Sequence, residues 1–190
     1  KTVEGLEVAL SEITKVVAGG KKVLFVGTKK QAKDIVRTAA QEVDQPFVTE
    51  RWVGGTLTNS KTVGAQIKHM QQLENKMASG DLEKRYNKLE VQRYGEEISE
   101  LNKKYGGIKN LEGKPGIVFV TDILSDANAV REAKKLDIPV VAVVDTNADP
   151  SDIDYVIPGN DDAIKGISLI LDYVKKAVLE GQAAVKKETK

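Results

Sequence analysis

The residues best suited to gripping another molecule fall in one stretch, residues 50–62, with the sequence ERWVGGTLTNSKT. It holds the only tryptophan, Trp52, beside Arg51, then the pair Gly54-Gly55 and a run of hydroxyl and amide side chains closing on Lys61. A glycine pair lets backbone turn, or approach another molecule, where a Cβ would clash. An arginine beside an indole offers a cation for phosphate and an aromatic face for stacking. The same residues also suit a surface loop that buries Trp52 in a core and caps the following helix with Thr58 or Asn59.

Phosphate chemistry is the first to test. Gly55-Thr-Leu-Thr-Asn-Ser60-Lys61-Thr62 differs from the pattern GxxxxGK[ST] at one position, and Asp122 or Asp145, each after an apolar run, stands where a magnesium-side acid would. Ser60 takes the place of the second glycine, and a Cβ there misdirects the amides that wrap a phosphate. Gly27 lacks the further glycines of a dinucleotide turn. Asp145-Thr-Asn147-Ala-Asp149 starts like a calcium loop, but Pro150 and Val156 stand at its glycine and bidentate-glutamate positions, so an Asx-rich turn is expected. His69 is the only histidine and there are no cysteines, which removes thiol catalysis, thiolate metal sites and a histidine-based triad. No catalytic residue, cofactor or metal ligand is assigned. A nucleotide-binding α/β enzyme using the Gly55 to Thr62 loop remains the alternative function, and a protein-only adaptor a third.

The elements around the loop follow from apolar periodicity. Val3, Leu6, Leu10, Ile13 and Val17 predict an amphipathic helix ended by Gly19-Gly20. The bounded apolar runs 23–26, 117–120 and 139–144 predict buried parallel strands, with shorter ones at 47–49 and 155–157. Helices are expected over 29–43, 125–136 and from Asn160 or Asp161 through Val174, and the tail from Gly181 is expected to fray. Between the second and third strands Val63, Ile67, Met70, Leu73 and Met77, then Leu82, Tyr86, Leu89, Ile98, Leu101 and Tyr105, recur at helical spacing on a polar background. That narrow seam predicts two long helices folded back as a coiled-coil hairpin standing clear of the body. The expected organisation is a doubly wound α/β domain of residues 1–62 and 106–180, a hairpin insertion at 63–105 and a flexible tail at 181–190.

The chain has 190 residues, 41% hydrophobic and 30% charged, enough to bury one ordinary core without disulfides. No stretch is apolar enough to span a bilayer and no secretory leader pattern opens the chain, so a cytoplasmic protein is expected. Net charge is only +1, yet residues 1–110 carry +5 and residues 111–190 carry −4. The excess of cations is placed where a polyanion would be met: Lys29, Lys30 and Lys33 after the first strand, Arg51, Asn59, Lys61 and Lys68 after the second, and Lys84, Arg85, Lys88 and Arg93 on the hairpin. Cations on a body and on an arm suit contact with folded RNA through backbone phosphates at several distant points. Trp52 is expected to anchor the loop in the core rather than to stack on a base.

Four blocks in order carry a family resemblance: Phe25-Val-Gly-Thr-Lys-Lys30; Arg51-Trp-Val-Gly-Gly-Thr-Leu-Thr-Asn59 with Lys61-Thr62; Val144-Asp-Thr-Asn147 with Asp149-Pro150; and Asp154-Tyr-Val-Ile-Pro-Gly-Asn-Asp-Asp-Ala-Ile164. Together they resemble ribosomal protein two of the bacterial small subunit, in its bacterial and organellar type. The resemblance implies a flavodoxin-like three-layer α/β fold with an inserted coiled-coil hairpin, late joining between head and body of the subunit, and binding to small-subunit rRNA and neighbouring ribosomal proteins. In bacteria it also implies help in holding the large mRNA-binding ribosomal protein one. The family usually carries a further basic amino-terminal segment, of which Lys1-Thr2 would be the end. Ser60 and Val53 stand where relatives often have larger side chains.

Overall fold

Strands form where short β-branched runs are bounded by Gly, Pro or Asp. A computed structural model describes residues 2–188, with β1 (Val23–Val26), β2 (Phe47–Val48), β3 (Ile117–Val120), β4 (Val140–Val144) and β5 (Tyr155–Pro158). All pairings are parallel, in the order β2-β1-β3-β4-β5. That is the doubly wound flavodoxin-like order, which reverses direction between β1 and β3. Every residue of β1, β3 and β4 is buried, so alternate side chains must feed two separate cores.

The first core lies under Val23, Phe25, Ile117, Phe119, Val141 and Val143. It is closed by α1 (Thr2–Ala18), α2 (Lys33–Glu42) and α7 (Ile164–Glu188). The Phe25 and Phe119 rings meet at 5.6 Å between centroids in a tilted pair. The second core lies under Leu24, Val26, Val118, Val120, Val140 and Ala142 and receives Ala129, Val130 and Ala133 of α6 (Ala127–Lys135).

The insertion between β2 and β3 comprises α3 (Ser60–Ala78), α4 (Asp81–Arg85) and α5 (Lys88–Tyr105). Gly80, at φ +71°, turns the chain after α3. Asn87 starts α5 with a capping box: its side chain accepts from the Glu90 amide, while the Glu90 carboxylate accepts from the Asn87 amide. The expectation that these helices stand clear of the sheet is corrected at their root. Val63, Met70 and Tyr105, with Ile108 just beyond, are buried in the second core beside Val48 and β1. The insertion root thus shares that face with α6 and with Trp52 and Leu57. Farther out, between residues 74 and 104, Leu82 is the only buried side chain.

Helix starts differ from periodicity where a polar side chain is diverted. α2 begins at Lys33 rather than 29, and α6 at Ala127 rather than 125. Asn160 does precede α7, its side chain accepting from the Asp162 and Ala163 amides. The carboxyl terminus is a larger correction. The chain does not leave the body at Gly181: α7 runs to Glu188, Gly181 is buried against Val17 of α1, and the Gln182 amide donates to the Val43 carbonyl at 2.7 Å. Residues 189–190 of the expected tail, and Lys1, lie outside the described residues.

The 3₁₀ turn Gly106–Ile108 presses on β2. A Cβ added at Gly107 would lie 2.1 Å from the Phe47 carbonyl oxygen and 2.7 Å from its ring. Gly107→Ala is therefore expected to destabilise the protein by about 1–3 kcal/mol through overpacking, read by urea unfolding; an unchanged midpoint would show that this turn does not pack on β2.

Candidate nucleic-acid interface

In a doubly wound sheet, ligands meet the carboxyl ends of the strands at the point where strand order reverses. Here that crevice, between the loops after β1 and β3, is filled from within. The Lys29 ammonium lies 2.7 Å from Asp162, 3.0 Å from Asp161 and 3.4 Å from Asp122. Burial alone would lower the Lys29 pKa, but hydrogen bonds to Asp162 and Asp161 and the charge of Asp122 outweigh it and push it well above its usual value. Asp122 also accepts from the Leu124 and Ser125 amides and the Ser125 hydroxyl. Thr28 closes the remaining gap, donating its amide (3.2 Å) and hydroxyl (2.8 Å) to Asp126.

Asp126 is 1% exposed and stands near the Asp122 charge. Burial pushes its carboxyl up to about 6, against the lowering effect of Thr28 and with a further upward push from Asp122. The Asp145 to Asp149 turn is occupied likewise. Asp145 accepts from the adjacent Thr146, and Asp149 accepts from the amide and hydroxyl of Ser151 in an Asx-type turn, so each carboxylate is taken up by its own loop.

The stretch after β2 is a compact loop with an inner and an outer side. Trp52, Thr56 and Leu57 are buried, with Trp52 at 7% exposure in the second core; Arg51, Gly54, Thr58, Asn59, Ser60 and Lys61 are exposed. Trp52 thus takes the anchoring role expected of it. Neither Thr58 nor Asn59 caps α3 with its side chain. The loop's donors converge instead on the carboxylate of Glu132 in α6: the Trp52 indole N–H, the Gly55, Leu57 and Thr58 amides, and the Thr58 hydroxyl. At its start, Glu50 accepts from Arg37 and Lys33 of α2.

Among the candidate contact residues, Lys30, Arg51, Asn59, Lys61, Lys68, Lys84, Arg85, Lys88 and Arg93 are all exposed. Lys29 and Lys33 differ from that set: each is half-buried, and its charge is compensated by carboxylates of the chain itself. Lys30 and Arg51 follow the carboxyl ends of the adjacent strands β1 and β2, and Asn59 and Lys61 lie where the loop passes into α3, whereas Lys84, Arg85, Lys88 and Arg93 lie at the far end of the insertion. His69 is taken up across the insertion by Glu97 at 2.9 Å. Sequence reasoning missed Glu132 and Asp126. Glu132 carries one weak signal: an acid bordering the apolar stripe Ala129, Val130 and Ala133.

Comparison with known proteins agrees with this architecture. The sequence matches the family described as Ribosomal protein S2 over residues 1–181. It is 48% identical over 182 residues to the small ribosomal subunit protein uS2 of Roseiflexus sp. (strain RS-1), covering 96% of this chain and 69% of that protein. The uS2 of Oleidesulfovibrio alaskensis is 46% identical over 190 residues, covering 100% of this chain and 72% of that protein. That of Dehalococcoides mccartyi (strain BAV1) is 44% identical over 186 residues, covering 98% and 76%. The chain belongs to the ribosomal protein S2 family, a family of structural proteins rather than enzymes.

The buried Asp126 sets a pH dependence of known sign. From its ordinary value of 3.8 up to about 6 the folded chain keeps a proton that the unfolded chain has lost. This group therefore favours folding at the acid side and opposes it above about 6, by about 2–3 kcal/mol in full. Urea unfolding of Asp126→Asn should lose that fall in stability with rising pH; a variant that tracks the wild-type profile would show that Asp126 does not titrate there.

Proposed function

We propose that this chain is a structural constituent of the small ribosomal subunit, binding small-subunit rRNA and neighbouring ribosomal proteins during assembly and translation. In a bacterium that places it in the cytoplasm. Family membership supports this reading, and one observation gives it a mechanism. The ligand crevice at the strand-order reversal is filled by Lys29, Asp122, Asp126 and Asp161, while Lys30, Arg51, Asn59 and Lys61 beside it face outward. Such an edge suits a ligand laid across it rather than one enclosed in it. A phosphodiester backbone has that form, and exposed cations contribute to its binding by displacing condensed counterions.

The insertion extends the same chemistry. Residues 63–105 act as an arm, and Lys68, Lys84, Arg85, Lys88 and Arg93 meet RNA phosphates away from the body. The exposed apolar side chains of α1 and α7, including Val8, Leu169, Tyr173 and Leu179, suit cover by protein neighbours. The family resemblance extends the partners in bacteria to the large mRNA-binding ribosomal protein one. The enzyme alternative loses its basis in the loop geometry: the amides of Gly55, Leu57 and Thr58 that would receive a nucleotide phosphate already hold Glu132.

Co-sedimentation with small subunits stripped of this protein tests the reading. Saturable binding at one copy per subunit, weakening as salt rises, is expected. Reversing Lys30, Arg51 and Lys61 together should weaken binding and flatten its logarithmic salt dependence by about 2, at roughly 0.7–0.9 per lost phosphate contact. A triple variant with the wild-type salt slope would remove the β1–β2 edge from the RNA interface.

A further inference from the structure

Glu132 is bound by its own chain in the way an anion is bound by a receptor. Its Oε1 accepts from the Trp52 indole at 3.0 Å and the Gly55 amide at 2.7 Å; its Oε2 accepts from the Leu57 amide at 2.9 Å, the Thr58 amide at 3.1 Å and the Thr58 hydroxyl at 3.2 Å. A carboxylate offers about four lone-pair directions, so five donors saturate it. Among the described residues no cation pairs with it. The charge is met by backbone, indole and hydroxyl dipoles, as in an anion-binding nest. Burial by itself would raise the Glu132 carboxyl, but these hydrogen bonds outweigh it and hold it below the usual range.

The donors come from residues 52–58, and the carboxylate comes from a helix that packs on the sheet through Ala129, Val130 and Ala133. Glu132 therefore ties a loop with no regular structure to a rigid element. Gly55, between its own amide and those of Leu57 and Thr58, takes φ +91°, a conformation open to glycine. Thr56 faces the other way, its amide and hydroxyl donating to the Val53 carbonyl. The result is a fixed alternation, in which Trp52 and Leu57 point inward while Arg51, Asn59 and Lys61 face solvent.

We propose that Glu132 is the positioning residue of the RNA-facing loop: an internal carboxylate that occupies an anion nest and so sets Arg51, Asn59 and Lys61 in binding geometry before RNA arrives. This rests on the loop lying in the rRNA interface, as argued above. Its effect is to remove the ordering cost that a free loop would carry into the complex. Burial of Trp52 and Leu57 alone would place the loop near the sheet, but it would not fix the directions of the Gly55, Leu57 and Thr58 amides.

The full chain with Glu132→Ala tests this, because truncation leaves a nest that a small carboxylate fits. Amide hydrogen exchange at Gly55, Leu57 and Thr58 should speed up by about tenfold or more, the equivalent of one lost hydrogen bond to a charged group, while β1, β3 and β4 stay protected. Affinity for stripped small subunits should fall by about tenfold, and acetate, unlike chloride at equal ionic strength, should restore both loop protection and affinity. Glu132→Gln keeps one acceptor and still fills the nest, so it should loosen the loop less and show no acetate rescue. It also supplies the readout if the alanine variant does not fold. Unchanged exchange at the three amides would overturn the proposal, as would a loosened loop that binds subunits as the wild type does, or a loss that acetate fails to restore. If the wild-type chain itself does not bind small subunits, the ribosomal reading fails, and the exchange measurements still decide whether Glu132 orders the loop.

Discussion

A parallel sheet has no solvent face, and most of this structure answers that constraint. Each residue of β1, β3 and β4 is buried, so each strand presents apolar side chains to both sides. The first side is amply served by α1, α2 and α7. The second receives one helix of the regular repeat, α6, together with Trp52, Leu57 and the root of α3 and α5. The loop and the insertion are thus parts of the core before they are anything else. Their exposed residues inherit their positions from that packing.

Two fates of charge follow at the carboxyl edge. In the crevice the charges are taken up within the chain: Lys29 among Asp122, Asp161 and Asp162 closes the place where a doubly wound fold usually admits a ligand. Outside the crevice, Lys30, Arg51 and Lys61 have solvent in front of them. Lys29 and Lys30 are adjacent in sequence and opposite in role. A near-match to a phosphate loop likewise resolves into an arrangement that holds a carboxylate of its own chain.

Much of the fold was legible because its signals are local. Apolar runs of four or five residues between breakers gave β1, β3 and β4, and helical spacing gave α1, α3 and α5. The errors lie where distant residues intervene. Residues 29–32 read as helix but form a turn, because Lys29 and Thr28 are drawn to side chains about a hundred residues away or more. Gly181 read as a breaker, yet it lies buried against α1, a neighbour that periodicity does not reveal. Glu132 was invisible for the same reason, since its five donors are 74 to 80 residues away in sequence. Exposure, which separates Lys30 from Lys29, is decided by tertiary packing alone.

The turn at Gly107 has a further bearing on how such a chain survives while unassembled. β2 is an outer strand of two residues; its Val48 carbonyl, and that of Pro46 just before it, face β1 and accept from Gly27 and Phe25. The Phe47 carbonyl between them therefore points outward, and the Gly106–Ile108 turn lies against it. An open, flat outer strand is a template on which a second chain can extend the sheet. Here that template is two residues long and blocked by backbone. The same close packing that seats the insertion thus guards this edge of the free protein against sheet-to-sheet aggregation until its partners arrive.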